Sequence, residues 1–152
     1  DATVQIQILL LLQELQRERG MAVIFVTHDI GVAVEISDRI AVMYAGRIVE
    51  TGTLHEVVQA PAHPYTRGLL ASTVHGARRG ARLETIAGAP PRLDRLPAGC
   101  AFAPRCKLAL PECTRTDPAD ILIGRQRSAR CLLLGSPAAA TPPTTVLAAA
   151  SS

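Results

Sequence analysis

The run Val23-Ile24-Phe25-Val26-Thr27-His28-Asp29 constrains this chain more than any other stretch. It is short, apolar and rich in β-branched side chains, and it stops abruptly at a hydroxyl, an imidazole and a carboxylate. A run of that length without polar alternation predicts a strand buried on both faces of a parallel sheet. Ligands of such sheets bind just beyond the carboxyl ends of the strands. His28 stands at that end, so the pattern predicts a side chain that meets a ligand. Taken alone, the same histidine also fits a satisfied core residue or the neighbour of a helix N-cap.

The flanks add order. Val4, Ile8, Leu11, Leu12 and Leu15 recur at helical spacing, which predicts a helix over Thr3–Arg19 that Gly20 terminates. Ile6, Leu9 and Leu10 widen its apolar face, so a well-covered helix is expected. The strand Ala22–Thr27 follows, then a helix from about Gly31 to Ile36. Residues 37–52 read as two strands about a tight turn at Ala45-Gly46, where glycine takes the positive φ such a turn needs. Thr53 is placed to cap a short helix Leu54–Gln59 that Pro61 ends. Tyr65–Ser72 reads as another, with Pro64 suited to its first turn.

This succession of helix, glycine stop, buried strand, His-Asp and helix resembles the end of an ABC-transporter ATPase core. The resemblance implies that His28 is the switch residue contacting the γ-phosphate of ATP. It also implies that Asp1, opening Asp1-Ala2-Thr3-Val4-Gln5, is the aspartate of a loop that reaches across a dimer interface. The spacing from Asp1 to His28 fits that family, and residues 37–52 resemble the hairpin after its switch histidine. Pro61-Ala62-His63-Pro64-Tyr65-Thr66-Arg67-Gly68-Leu69-Leu70 resembles the peptide-importer branch, and so does Gly99-Cys100-Ala101-Phe102-Ala103-Pro104-Arg105-Cys106. Over roughly residues 1–134 the chain resembles the C-terminal part of the ATP-binding subunit of an oligopeptide/dipeptide ABC importer.

The expected fold is therefore α/β: the C-terminal part of an ABC-ATPase nucleotide-binding domain with a small Cys-rich extension. The expected units are 1–76 for the ATPase part, 77–99 for a basic Pro/Gly-rich connector, 100–134 for the Cys-rich region and 135–152 for a disordered tail. The resemblance implies ATP with magnesium, sandwiched between two such subunits, and transmembrane permease subunits as partners. It implies a peripheral position on the cytoplasmic face of the inner or plasma membrane. The sequence holds no G-x-x-x-x-G-K-[ST] loop, no ABC signature segment and no apolar strand ending in Asp-Glu. The family pattern puts those parts upstream, so a piece of a longer ATPase, inactive by itself, is expected. Two alternatives stand beside this reading. One is an autonomous cytosolic module that binds metal or nucleic acid; the other is a nickel importer ATPase of the same branch. The transported solute is read by other subunits of such a system.

Composition bears on those alternatives. Residues 1–76 carry 5 basic and 8 acidic side chains, and residues 77–152 carry 11 and 5. A basic half can meet nucleic acid or an anionic surface. Here Lys107 is the only lysine, so arginine is favoured throughout, and base-stacking aromatics are missing from that half apart from Phe102. A solvated arginine-rich surface is the expectation, without nucleic acid as a partner. No run approaches the ~20 apolar residues that span a bilayer, and nothing at the start resembles a secretory signal.

All four cysteines, Cys100, Cys106, Cys113 and Cys131, fall in one short basic segment. In a cytosolic chain that favours metal over disulfides, with unrelated half-buried thiols as the plain alternative. The close cysteine pairs usual in structural zinc sites are missing. A four-cysteine set suits an iron–sulfur cluster, and the resemblance points the same way. The expectation is one structural [4Fe–4S] cluster on Cys100, Cys106, Cys113 and Cys131, with zinc as runner-up. Few apolar residues surround these thiols, so the segment needs a staple. His63 reads as a turn residue before Pro64, and His55 and His75 as surface residues; none of the three is assigned a ligand role.

Overall fold

A computed structural model describes residues 2–72 and 85–135, with the backbone alone for residues 2–6. Helix α1 (Ala2–Arg19) ends in two arginines and at Gly20, whose φ of +62° only glycine adopts freely. Residues 21–29 run on without regular structure to α2 (Ile30–Ile36). Strands β1 (Arg39–Tyr44) and β2 (Arg47–Thr53) form the expected hairpin, and both turn residues lie at positive φ, Ala45 at 49° and Gly46 at 78°. That geometry matches the right-handed twist of the strands it joins.

Two short helices follow. α3 (Leu54–Gln59) carries a complete capping box, in which Thr53 accepts from the Glu56 amide and Glu56 reaches back to the Thr53 amide. α4 (Pro64–Ala71) opens with proline at its first turn and His63 as its cap. Residues 85–99 form no helix or strand. They are pinned from one side by Arg105, which donates to the carbonyls of Ile86 and Ala87 at 3.0 Å each.

Strands β3 (Ile121–Gly124) and β4 (Arg127–Ala129) complete one four-stranded sheet in the order β1-β2-β4-β3, antiparallel at every pairing. The cysteine-bearing segment thus shares a sheet with the hairpin: Glu50 pairs with Ala129 and Thr51 with Ser128. Tyr44, Val49 and Phe102 form the buried core, with Tyr65 and Ile86 packed against it. Three of the four Phe and Tyr rings in the chain meet there. Tyr44 lies 4.5 Å from Tyr65 and edge-on to Phe102 at 5.3 Å between centroids.

Two expectations are corrected. Ala22–Thr27 is not a strand of a parallel sheet: Ile24 is 93% and Val26 91% exposed. A β conformation persists only where a neighbouring strand takes up its amides and carbonyls. Among the described residues no strand lies beside this run, and the sheet they form is antiparallel. Likewise α1 is not well covered. Leu9 is buried, but Ile8, Leu10 and Leu11 are more than half exposed, because the described residues offer its wide apolar face too little to pack on. No helix among the described residues is long and apolar enough to cross a membrane.

Candidate functional site

Two places hold the residues singled out by sequence, and they differ in construction. The first is the end of the apolar run. His28 is exposed, and its neighbours fold into a cap: Thr27 Oγ1 accepts the Asp29 amide at 3.0 Å. Asp29 Oδ1 in turn accepts the amides of Gly31 at 2.8 Å and Val32 at 3.3 Å, which starts α2. Asp29 is therefore occupied in capping, while the His28 imidazole projects free of the cap. Both residues border an apolar groove of about 820 Å³ whose walls include Leu9, Val42, Tyr65 and Leu69. Asp1 lies outside the described residues, as do His75, residues 77–84 of the connector and residues 136–152 of the tail.

The second place is built by three separate pieces of chain. Cys100 and Cys106 flank a tight helical turn at Ala103–Arg105, Cys113 sits in another at Pro111–Thr114, and Cys131 follows β4. The Cys100 amide donates to the Cys113 carbonyl at 2.8 Å, which clamps the first two pieces together. The Arg130 amide donates to the Val49 carbonyl at 2.9 Å, which fixes Cys131 beside β2. All four thiols are free, and all four line one cavity of about 10 Å³ together with His63, Phe102 and Leu133.

Each sulfur also meets backbone N–H groups. The Leu110 amide donates to Cys113 Sγ at 3.4 Å. The amides of Phe102 and Ala103 face Cys100, that of Leu108 faces Cys106 and that of Leu133 faces Cys131. Burial nevertheless pushes the thiols of Cys100 and Cys106 above their ordinary range and Cys131 up to about 11, with the neighbouring thiols adding to it. N–H donors converging on sulfur suit a thiolate, while the apolar walls oppose one unless a cation shares the space. Among the described residues, no three His, Cys, Asp or Glu side chains are grouped as a single bound ion needs. The thiols line a common void without closing on one point.

Sequence reasoning underrated His63. It stands in the turn before Pro64 as expected, but it is 1% exposed and belongs to a buried polar network. Its Nδ1 accepts the Tyr65 amide at 3.0 Å, and its ring stands 5.9 Å from that of Phe102. Glu50, also 1% exposed, accepts the amides of Ala62 at 2.8 Å and His63 at 2.9 Å. Arg127 completes the network, with Nη2 donating to Glu50 at 3.3 Å and to the Ala60 carbonyl. Burial holds the His63 imidazole well below its ordinary value of 6.5, at about 4. The sequence held one hint, since histidine directly before a first-turn proline occupies the N-cap position. His55 is exposed, as expected.

Comparison with known proteins bears on both places. Residues 49–113 match the family described as oligopeptide/dipeptide transporter, C-terminal region. A Brucella melitensis protein named for peptide import and ATP binding is 49% identical over 138 residues, covering 87% of this chain and 41% of that protein. The dipeptide transport ATP-binding protein DppD of Bacillus subtilis is 43% identical over 133 residues, covering 88% and 40%. The oligopeptide transport ATP-binding protein OppD of Salmonella typhimurium is 48% identical over 120 residues, covering 79% and 36%. The chain therefore spans about two fifths of the length of the curated relatives it matches.

Proposed function

The chain belongs to the C-terminal part of the ATP-binding subunits of oligopeptide/dipeptide ABC importers, and from that premise we propose that it serves peptide import powered by ATP. The observation that carries this is an identity of 49% that continues through 138 residues, across the His-Asp end, the hairpin and the cysteines. In this reading two ATP-binding subunits sandwich ATP with magnesium. Their closure and reopening drive permease subunits in the membrane, while the peptide is handled by other subunits. The subunit is held at the cytoplasmic face of the membrane through the permease.

His28 takes the γ-phosphate in this proposal, and Asp1 belongs to the interface loop. An imidazole can donate one ring N–H to a phosphate oxygen and anchor through the other nitrogen. The exposure of His28, which takes no part in the Asp29 cap, supports that role. The 152 residues hold no phosphate loop and no Asp-Glu strand end, so by themselves they are proposed not to turn over ATP. The test is His28→Ala in the full-length subunit assembled with its permease. ATP turnover should fall by about 100-fold or more, in the range seen for a lost transition-state donor, with the thermal melt unchanged. Wild-type turnover in a stable variant would remove His28 from the site.

The four thiols are proposed to hold one [4Fe–4S] cluster with a structural role, zinc being the alternative. The reading is supported by four sulfurs on one cavity, each facing a backbone N–H, in a segment whose own core is small. A cluster exceeds the present void, so its binding requires the cysteine segments to spread. A single zinc at about 2.3 Å from each sulfur requires them to draw together. Either would supply folding free energy that local packing does not. Anaerobic purification with iron, sulfide and zinc analysis decides between them. A colourless protein with one zinc replaces the cluster, and four freely titrating thiols with no metal end the metal reading.

A further inference from the structure

We propose that the hollow between the start of β2 and the end of β4 binds a small free carboxylic acid as its anion, held by the guanidinium groups of Arg47 and Arg130. Arg47 opens β2, and Arg130 follows β4, where its amide donates to the Val49 carbonyl at 2.9 Å. Two distant pieces of sequence thus bring two cations together. Both guanidinium groups reach one atom, Asp117 Oδ2: Arg47 through Nη1, and Arg130 through Nη2 at 3.6 Å. One carboxylate therefore serves two cations, and the cluster keeps one positive charge in excess. A guanidinium carries five N–H donors in a planar fork that matches a carboxylate, and Asp117 meets one nitrogen of each.

The three charged residues border a cavity of about 60 Å³. A water needs about 10–15 Å³ of such space, so a ligand of roughly four to six heavy atoms fits. The rest of the lining is largely apolar and includes Val49 and Phe102 of the buried core, with Leu96 at 38% exposure. A cationic pair beside an apolar wall suits a short acid with one alkyl end. Phosphate offers that wall nothing, and an amine brings the wrong charge. The pairing with Asp117 is a resting contact. All three side chains are partly exposed, and ion pairs in that setting contribute little net, so an incoming carboxylate can share or take over the donors.

The test titrates the complete 152-residue chain with propionate and follows backbone amide and arginine side-chain nuclear magnetic resonance signals. Five heavy atoms of ordinary ligand efficiency half-saturate a site on the order of 1 mM. Shifts should centre on residues 96–101, Arg47 and Arg130. Propionamide lacks the charge and inorganic phosphate lacks the alkyl end, so each should bind about 10-fold more weakly. Glycylalanine carries the same propionate unit on a peptide too long for the cavity, and should bind at least about 5-fold more weakly. Asp117→Asn removes the competing carboxylate and should tighten propionate about 5-fold, whereas Arg130→Gln should weaken it about 10-fold, with thermal melts showing both folded. No saturating shift up to about 50 mM, or equal binding of propionamide or phosphate, overturns the site. Equal or tighter binding of glycylalanine overturns its assignment to a free acid. Should Arg130→Gln fail to melt cooperatively, Arg47→Gln decides, its side chain being half exposed. Propionate binding weakened about 10-fold in that variant supports the site, and unchanged binding overturns it.

Discussion

Gly99 lies against the backbone of Cys113 so closely that no other residue fits: a Cβ at position 99 would stand 2.3 Å from the Cys113 carbonyl oxygen. The next atoms are also backbone, Thr114 C at 2.6 Å and Arg115 N at 2.8 Å, so no side chain can swing aside. The same Cys113 oxygen accepts the Cys100 amide at 2.8 Å. The close approach and the clamp between two cysteine segments are therefore one feature.

Gly99→Ala should destabilise the chain by about 3 kcal/mol, the upper end for overpacking, because the obstacle is rigid. It should also open the thiol pocket, read as faster labelling of Cys100 and Cys113. Gly135→Ala is the control. No atom lies within 4 Å of its added methyl, so its effect should stay within about 0.5 kcal/mol. Equal melts for the two variants would refute the clamp.

Glu50→Ala should cost roughly 3–5 kcal/mol, as expected when one partner of a buried pair is removed. It leaves the amides of Ala62 and His63 without their acceptor and takes the carboxylate from the Arg127 guanidinium. Replacing both charges, Glu50→Leu with Arg127→Met, should recover part of that loss, since no unpaired charge then remains buried. Urea unfolding of the three proteins checks it. A single-variant cost under about 1 kcal/mol would mean that water reaches Glu50.

The hairpin, the Thr53 cap and the proline-started helix were legible because each is fixed by a few adjacent residues. Strands β3 and β4 were not. Their seven residues hold Gly124, Arg127 and Ser128, and what makes them strands is pairing: β4 with the distant β2, as Glu50 with Ala129, and β3 with β4. The apolar run at 23–26 misled for the converse reason, since its composition speaks of neighbours that the described residues do not include. At the thiol pocket the cysteines were visible as letters. His63 and Glu50 were not, because a buried polar network is specified by its partners rather than by local sequence.

Acid should weaken the fold through His63. Its imidazole is held at about 4 against an ordinary 6.5, chiefly by burial and further by Arg67, while Glu50 and the Arg130 carbonyl oppose the shift. Between those values the unfolded chain binds the proton and the folded chain does not, so stability rises with pH across that window. The contribution is complete above about pH 6.5 and is lost as pH falls toward 4, amounting to about 3 kcal/mol. Denaturant unfolding of wild type and His63→Gln from pH 7 to 4.5 should show their difference shrinking as pH drops. A constant difference would show that the ring titrates normally.

The turn offers a stabilising change. Ala45 stands at φ 49°, a region that costs a non-glycine residue roughly 1 kcal/mol, and Gly46 follows at 78°. Asn-Gly is the pair that such a turn favours, because asparagine tolerates the left-handed region. Ala45 is partly buried beside Tyr44 and Val49, so the replacement must also fit that edge of the core. Ala45→Asn should raise stability by about 0.5–1 kcal/mol. Ala45→Val should lower it by at least about 1 kcal/mol, since a β-branched side chain is the worst tenant of positive φ. The opposite signs make the test independent of the absolute scale. Thermal melts of the three proteins at one pH suffice, and a loss of stability in Ala45→Asn would mean that the packing contact outweighs the backbone preference.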